Sequence, residues 1–396
     1  MKILLINVVY GSGSTGIIVD NLYKYYKERG NDVFVIYGRG KKNTTDRNVI
    51  KCTSEFESKI YHFLSLFNGN LYGGMPLSTK RILSKIKKIK PDIVHLHCLN
   101  GFFVNIYKLI DFLKRRKIKT ILTNHAEFMF TGNCGITLNC NKWINNECSG
   151  CERVHEFAGK HAANKTHNYY LKLKEALHGF DTLSVTCVSQ WLTNRVNLSP
   201  LYKSTKNVTI LNPVVISDFA DLKNPYEEAL IKSGKEKIAL FVCTQLNNEE
   251  KGFMHFINLA NELKESKYLF VLIGADFLEN DSKNIISLGK VDNSKLAIFY
   301  KYADVTLILS KRETFSMVVA ESLCCGTPVC GFLSGGPETI AFPEYSSFVG
   351  NGDIAGLKKI LEENEFVSND SQRKELIVKA KAKFDLNVIG RQYLEL

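Results

Sequence analysis

Long apolar runs are missing from this chain of 396 residues. None approaches the roughly 18 consecutive apolar residues that a membrane-spanning helix needs. No small-residue cleavage site follows the apolar opening Met1–Tyr10, which runs straight into glycine and serine. A first β-strand explains that opening better than a signal peptide does. The expected compartment is therefore the cytoplasm, where the eleven cysteines stay mostly reduced. Internal repeats and low-complexity tracts are also lacking, which excludes solenoid and disordered classes. The basic runs carry no interleaved aromatic residues, so nucleic-acid binding has little to rest on.

What is present is an ordinary globular composition, 45% hydrophobic and 23% charged, on a chain long enough for two full cores. The net charge of +12 is uneven. Residues 1–214 carry 31 Lys and Arg against 14 Asp and Glu, whereas the remainder carries 21 against 26. One half thus suits a polyanion, with anionic lipid headgroups, a lipid-pyrophosphate acceptor or nucleic acid as the candidates. In that half, a helix expected over Thr79–Lys90 sets Ile82, Leu83, Ile86 and Ile89 against Lys80, Arg81, Lys85, Lys87 and Lys88. Lys114-Arg115-Arg116-Lys117 closes the next helix. A solvated face accounts for both clusters; a surface seated on anionic membrane is the functional alternative. Residues 41–76 show no readable pattern.

Strand-like runs at Lys2–Val9, Asp32–Tyr37, Asp92–His97, Lys119–Thr123, Thr182–Val188 and Val208–Leu211 alternate with helical patterns. After a hinge-like Asn212-Pro213 the alternation resumes with Lys237–Cys243, Tyr268–Ile273, Val305–Leu309 and Pro328–Phe332. Helices are expected over Asn293–Tyr302 and Asp370–Lys383. This pattern predicts parallel sheets in an α/β fold, and such sheets bind ligands beyond the carboxyl ends of their strands.

Two such ends stand out. After the first strand, Gly11-Ser12-Gly13-Ser14-Thr15-Gly16 leads into a helix, the arrangement a backbone needs to approach phosphate closely. It also matches a dinucleotide fingerprint. The second strand, however, ends in Gly38-Arg39-Gly40 rather than in an acidic residue, so the oxidoreductase reading is an NADP-dependent one through Arg39. The second end is Glu313–Pro328, with Glu313 and Glu321 eight positions apart. Thr314 and Ser316 are residue types that cap helices, and Met317–Cys325 is a short apolar helix stopped by Gly326. On one helix, eight residues rise about 12 Å and turn the side chains roughly 80° apart, so the carboxylates cannot share one atom. They suit two ends of an elongated ligand, with the N–H groups of Thr314, Phe315, Ser316 and Met317 between them for phosphate. Glu321 then takes ribose hydroxyls and Glu313 a sugar. The bland reading is a loop residue and a solvated helix carboxylate.

Cys134, Cys140, Cys148 and Cys151 form a third feature, ending in a proper C-x2-C knuckle after an irregular first half. Three readings stay open: a structural zinc with His155 or His161 as a substitute ligand, a cluster of reduced thiols, or disulfides. A zinc-dependent nucleic-acid-binding protein is the corresponding alternative function. Four thiolates leave no open coordination position, so such a metal has no catalytic role.

The pattern E-x7-E inside ETFSMVVAESLCCGTPV, followed by Ser334-Gly335-Gly336-Pro337-Glu338, resembles the C-terminal signature of the retaining glycosyltransferases of family 4. The Cys-rich loop with Trp143 resembles a bacterial exopolysaccharide and O-antigen subgroup similar to colanic-acid glycosyltransferases. The resemblance implies the GT-B architecture, two Rossmann-like domains with parallel sheets facing across a cleft. The domains would be 1–211, with the Cys-rich loop at 127–160, then 212–375, and a C-terminal helix over 376–396 returning to the first. It implies a nucleoside-diphosphate sugar donor and a saccharide or lipid-linked saccharide acceptor, with no nucleic acid. His125, at the end of the Thr120 strand, would contact the transferred sugar or the acceptor. Ala126 replaces the usual following Asp or Gly. Lys251 would neutralise the leaving diphosphate, with Gln245 standing where the family has Arg. Gly13 and Ser14 would face the donor phosphates. No D-x-D occurs, so no cofactor is expected in catalysis.

Overall fold

Every strand that the alternation predicts forms, with ends shifted by a residue or two. A computed structural model describes residues 1–41, 44–68, 71–158, 164–216, 223–275, 284–292, 295–363 and 369–396. His161 and Asn293, named above, lie outside the described residues. The chain divides into two compact units, Met1–Leu211 with Ile389–Leu396, and Asn212–Val388. Helix Asp370–Phe384, which a boundary at 375 would cut, lies whole in the second unit, and the chain returns to the first only at Ile389.

The first unit holds β1 (Lys2–Asn7), β2 (Asp32–Tyr37), β3 (Val49–Lys51), β4 (Ile93–Leu96), β5 (Lys119–Asn124), β6 (Leu183–Cys187) and β7 (Lys206–Thr209). They form one sheet in the order β3-β2-β1-β4-β5-β6-β7, with every pairing parallel. In β1, Ile3 to Asn7 are all buried, because a parallel strand is covered on both faces and has no solvent side. Register runs Ile3↔Val33 on one side of β1 and Ile3↔Ile93 on the other. The strand order therefore reverses between β1 and β4.

The second unit repeats the plan with β8 (Lys237–Val242), β9 (Tyr268–Ile273), β10 (Ile285–Ser287), β11 (Val305–Ile308), β12 (Val329–Phe332) and β13 (Ser346–Val349), in the order β10-β9-β8-β11-β12-β13. Ala239, Phe241, Phe270 and Leu272 enter one apolar cluster, while Ile238, Leu240, Leu269 and Val271 enter another. That alternation is the period of two of a strand, and it places a core on each face of the sheet. The reversal here falls between β8 and β11. Crevices at such switch points are where sheets of this kind hold ligands.

Helices α1 (Gly13–Glu28), α2 (Glu55–Asn68), α3 (Pro76–Ile89) and α4 (Ile106–Arg115) belong to the first unit. In α3 the apolar set is buried at Ile82, Ile86 and Ile89 and the lysines are exposed, as its period requires. Among the described residues no helix is long and apolar enough to cross a membrane.

Candidate functional site

In the second unit, the loops that leave β8 and β11 meet at the switch point. Contacts among the described residues join them. Lys311 N donates to Glu250 O at 2.8 Å, and Lys251 Nζ lies 2.7 Å from Glu313 Oε1. Gly252, at φ +79°, passes so close to Leu309 that a Cβ would stand 2.0 Å from its carbonyl oxygen. Only glycine fits there, which is why the Lys251-Gly252 pair ends its loop. Lys251 and Glu313 remain partly exposed, with side chains 39% and 23% accessible. Their charges are therefore available to a ligand.

Glu313 is fixed from behind by the glycine turn after β12. Its N–H donates to Ser334 O at 3.0 Å, and Gly336 N donates to Glu313 O at 2.8 Å. The Glu338 carboxylate accepts from Ser334 N and Gly335 N, closing the turn. A Cβ on Gly336 would lie 2.4 Å from the Thr314 backbone. The second half of the signature is thus a brace for the first.

The helix after Glu313 is Met317–Cys324. Ser316 occupies its N-cap position at φ +76°, and its hydroxyl makes no capping hydrogen bond. This corrects the expectation that the side chain caps the helix. Phe315 is buried and packs edge-on against Phe384 at 6.1 Å. It therefore anchors the loop and offers its backbone, not its ring. Thr314 and Met317 lie at either side of this turn.

Glu321 sits one turn further along and is half-buried. Tyr300 Oη donates to Glu321 Oε2 at 3.2 Å, a partner that the sequence did not suggest. Burial pushes its carboxyl up to about 7, against which the tyrosine hydrogen bond works in the other direction. Gln245 is exposed and engaged with Asn248, whose Nδ2 donates to Gln245 Oε1 at 3.3 Å.

In the first unit, the loops after β1, β4 and β5 carry the candidate residues. Gly11 and Gly13 have φ of +63° and +64°, and Gly11 N donates to Gly16 O at 3.0 Å. Buried Asn7 pins this turn by donating to Val9 O and accepting from Cys98 N just beyond β4. Gly13 and Ser14 are exposed at the start of α1. Arg39, required by the NADP reading, is turned aside: its Nε lies 2.9 Å from Glu55 and its guanidinium also reaches Gly101 O.

His125 follows β5 and is half-buried. Its Nε2 lies 3.1 Å from Nδ1 of His97, which follows β4, and the rings stack at 5.4 Å. His95 lies beneath His97 at 4.1 Å and bonds Thr123 Oγ1 at 2.7 Å. Tyr393, on the returning C-terminal helix, packs on His95 at 4.6 Å. Desolvation holds all three imidazoles well below their usual range, His125 at about 4 and His95 at about 3. They are neutral near pH 7.

Sequence reasoning missed Glu127 and Arg195. Glu127 is fully buried, is ion-paired to Arg195, and accepts from Thr137 N and Oγ1. The guanidinium lies between Trp143 and Trp191, at 5.0 and 5.1 Å. This pair ties the Cys-rich loop to helix Gln190–Leu198. The only sequence signal was a lone Glu among apolar residues.

The four cysteines line one cavity of about 490 Å³ over buried Trp143. Their side chains do not converge as a ligand set: among the described residues no group of three or more His, Cys, Asp or Glu is placed to hold a metal ion. Cys134 Sγ donates to Ile136 O, and Cys148 Sγ accepts from Gly132 N, each at 3.0 Å. Burial raises both thiols to about 12, so they stay protonated. The cysteines are all free, so no disulfide forms. His161, a substitute ligand of the zinc reading, lies outside the described residues.

A 42.6 kDa protein of the cps region of Klebsiella pneumoniae is 24% identical over 358 residues, covering 85% of this chain and 86% of that one. A 41.2 kDa protein of the same region is 24% identical over 269 residues, covering 66% and 65%. Among solved structures, Anabaena Alr3699/HepE in complex with UDP superposes with a TM-score of 0.64 at 12% identity, over 100% of this chain and 99% of its own. That likeness shows the GT-B fold. The family described as Glycosyltransferase Family 4 matches residues 15–215, and that described as Glycosyl transferases group 1 matches residues 223–383. Signature, sheet order and these matches agree, and the chain belongs to the family 4 glycosyltransferases.

Proposed function

We propose that the chain moves a sugar, with retention at the anomeric carbon, from a nucleoside-diphosphate sugar to a saccharide acceptor, lipid-linked, in the synthesis of a bacterial surface polysaccharide. The observation that carries this reading is the Lys251–Glu313 pair at the β8/β11 switch point, beside a helix start whose N-cap hydroxyl is not engaged. A diphosphate leaving group develops charge as the bond from the anomeric carbon to its phosphate oxygen breaks. Lys251 and the N–H groups near Phe315 to Met317 supply positive potential for that charge. Glu313 accepts from hydroxyls of the donor sugar, and Glu321 accepts from those of the ribose.

The acceptor hydroxyl forms its bond on the face the phosphate leaves, and its proton passes to the departing phosphate oxygen. No metal takes part in this scheme. Neutral His125 accepts or donates a hydrogen bond at the sugar or acceptor. UDP in the Anabaena complex and the cps-region relatives support the donor class and the polysaccharide context. A cytoplasmic site, where nucleotide-sugars are held, completes the reading.

The test is a melting-temperature panel with UDP, GDP, ADP, CMP, NADP and NAD. A ligand at 100 times its dissociation constant adds about 2.7 kcal/mol, a readily measured rise. A shift with one nucleoside diphosphate supports the reading and names the donor class. A shift with NADP alone would overturn it.

A further inference from the structure

Helix α2 is built inside out. Its inward face is polar: Glu57, Ser58 and Ser65 are buried at 6%, 0% and 2% exposure. Glu57 accepts from Ser78 N at 2.9 Å and lies 3.5 Å from Arg81, and Ser58 Oγ donates to Phe102 O at 2.7 Å. Its outward face carries an apolar stripe, with Lys59 and His62 exposed beside it. Phe56, Ile60, Phe63 and Leu64 are 74%, 38%, 60% and 42% exposed. They fall at positions i, i+4, i+7 and i+8, which form one stripe on a helix. Leu77, at the start of α3, adds a fifth exposed apolar side chain at 58%. Single exposed apolar residues are ordinary, but a contiguous stripe opposite a polar inner face marks a surface made to be covered.

The surroundings say by what. Tyr61, on α2 itself, lines a groove of about 630 Å³ whose wall includes Lys80, Lys87 and Lys108 from α3 and α4. The groove continues along α3 and α4 to Arg115 and Arg116, with Asp111 its acidic member. All five basic side chains are exposed. An apolar stripe beside a nearly single-sign basic groove is the pattern of an interfacial helix on anionic lipid. The charge also disfavours a second copy of the chain, because a two-fold contact here would set lysines against lysines.

We propose that the outer face of α2 is a membrane-docking edge, with Phe56, Ile60, Phe63 and Leu64 entering an anionic bilayer and the α3–α4 groove binding its headgroups. The basic α3 face read from the sequence is then the flank of the contact, and α2 its centre. The edge rests on the proposed function only for its purpose, which is to bring the enzyme to a lipid-linked acceptor. Binding to bare vesicles, with no donor or acceptor present, tests the edge by itself, and the nucleotide panel tests the transferase reading by itself.

The experiment is co-sedimentation of the full chain with phosphatidylcholine vesicles, with and without phosphatidylglycerol. The expected result is binding that requires phosphatidylglycerol and weakens with salt. Phe56→Ser with Phe63→Ser should lower it roughly tenfold or more. Lys80→Ala or Lys87→Ala should lower it roughly fivefold each. These side chains are exposed, so an unchanged melting temperature confirms that each variant is folded. Binding indifferent to phosphatidylglycerol, or equal binding by the double serine variant, would overturn the proposal. So would sedimentation showing that the serine variant dissociates a dimer while vesicle binding is unchanged, since a second copy would then cover the stripe.

Discussion

Lys251 and Glu313 are 62 residues apart in the chain and 2.7 Å apart in the fold, joined across the point where the order of the second sheet reverses. In the proposed function each neutralises the other until a donor arrives, and each then takes a separate partner: diphosphate for the lysine, sugar hydroxyls for the carboxylate. Lys251→Ala should lower kcat by roughly 10²- to 10³-fold, the usual loss for one group stabilising a developing anion. Nucleotide affinity should fall far less. Steady-state kinetics and nucleotide titration on the same preparation separate the two, and an alanine variant with undiminished kcat would remove Lys251 from the chemistry.

The strands were legible because buried parallel strands are near-continuous apolar runs, as in Ile3 to Ile6 and Ile238 to Phe241. The helix inside the E-x7-E stretch was legible because its apolar run and its Gly326 stop are local, although Ser316 does not cap it. What was not legible is non-local or inverted. Nothing in the sequence joins Glu127 to Arg195, since that contact depends on β5 and β6 being neighbours. Helix α2 was lost in an unreadable stretch because its polar residues face inward, reversing the usual sign of the periodicity. Strands β3, β10 and β13 were missed for a plainer reason. They are three or four residues long, lie at or near sheet edges, and carry too few apolar residues to stand out.

Glu321 gives a pH dependence whose sign can be worked out. Its carboxyl is raised from 4.5 to about 7 in the folded protein. The stability it contributes is therefore fully present below about pH 4.5 and is lost as pH rises through about 7. Glu321→Gln should flatten that decline and stabilise the protein at higher pH by a few kcal/mol at most. Ribose hydroxyls prefer the ionised carboxylate. Nucleotide binding should thus release a proton and tighten from about pH 6 to about pH 8. Calorimetry in buffers of different ionisation enthalpy measures that proton, and finding no release would separate Glu321 from the ribose.

The Glu127–Arg195 pair should be costly to break from either side. Glu127 has no exposed surface and Arg195 is 16% exposed. Removing one partner leaves the other charge buried, which costs roughly 3 to 5 kcal/mol. Urea unfolding of Arg195→Leu and Glu127→Gln should show losses of this order. Arg195→Lys should recover only part, because a single ammonium cannot span Glu127 and Thr137 while stacking between two tryptophans. A loss below about 1 kcal/mol for Arg195→Leu would mean that the Cys-rich loop is held chiefly by its own packing.

His97 should act on His125 as a positioning residue. Its Nε2 is buried with no hydrogen-bond partner among the described residues, while Nδ1 meets His125 Nε2. The bond between the two rings needs one nitrogen to donate and the other to accept, and it fixes the His125 ring in either tautomer. Replacing His97 with Phe removes the hydrogen bond to His125 but keeps a flat ring over His95. That variant should keep its melting temperature and its KM while kcat falls roughly tenfold, short of the roughly 10²- to 10⁴-fold that an acid–base group supplies outright. His97→Asn restores an N–H donor and should recover part of the rate. Because desolvation keeps His125 near 4, neither the native enzyme nor the Asn variant should show a rate limb near pH 6.5 from this residue. A fall in melting temperature that tracks the loss of rate in both variants would reduce His97 to a packing residue.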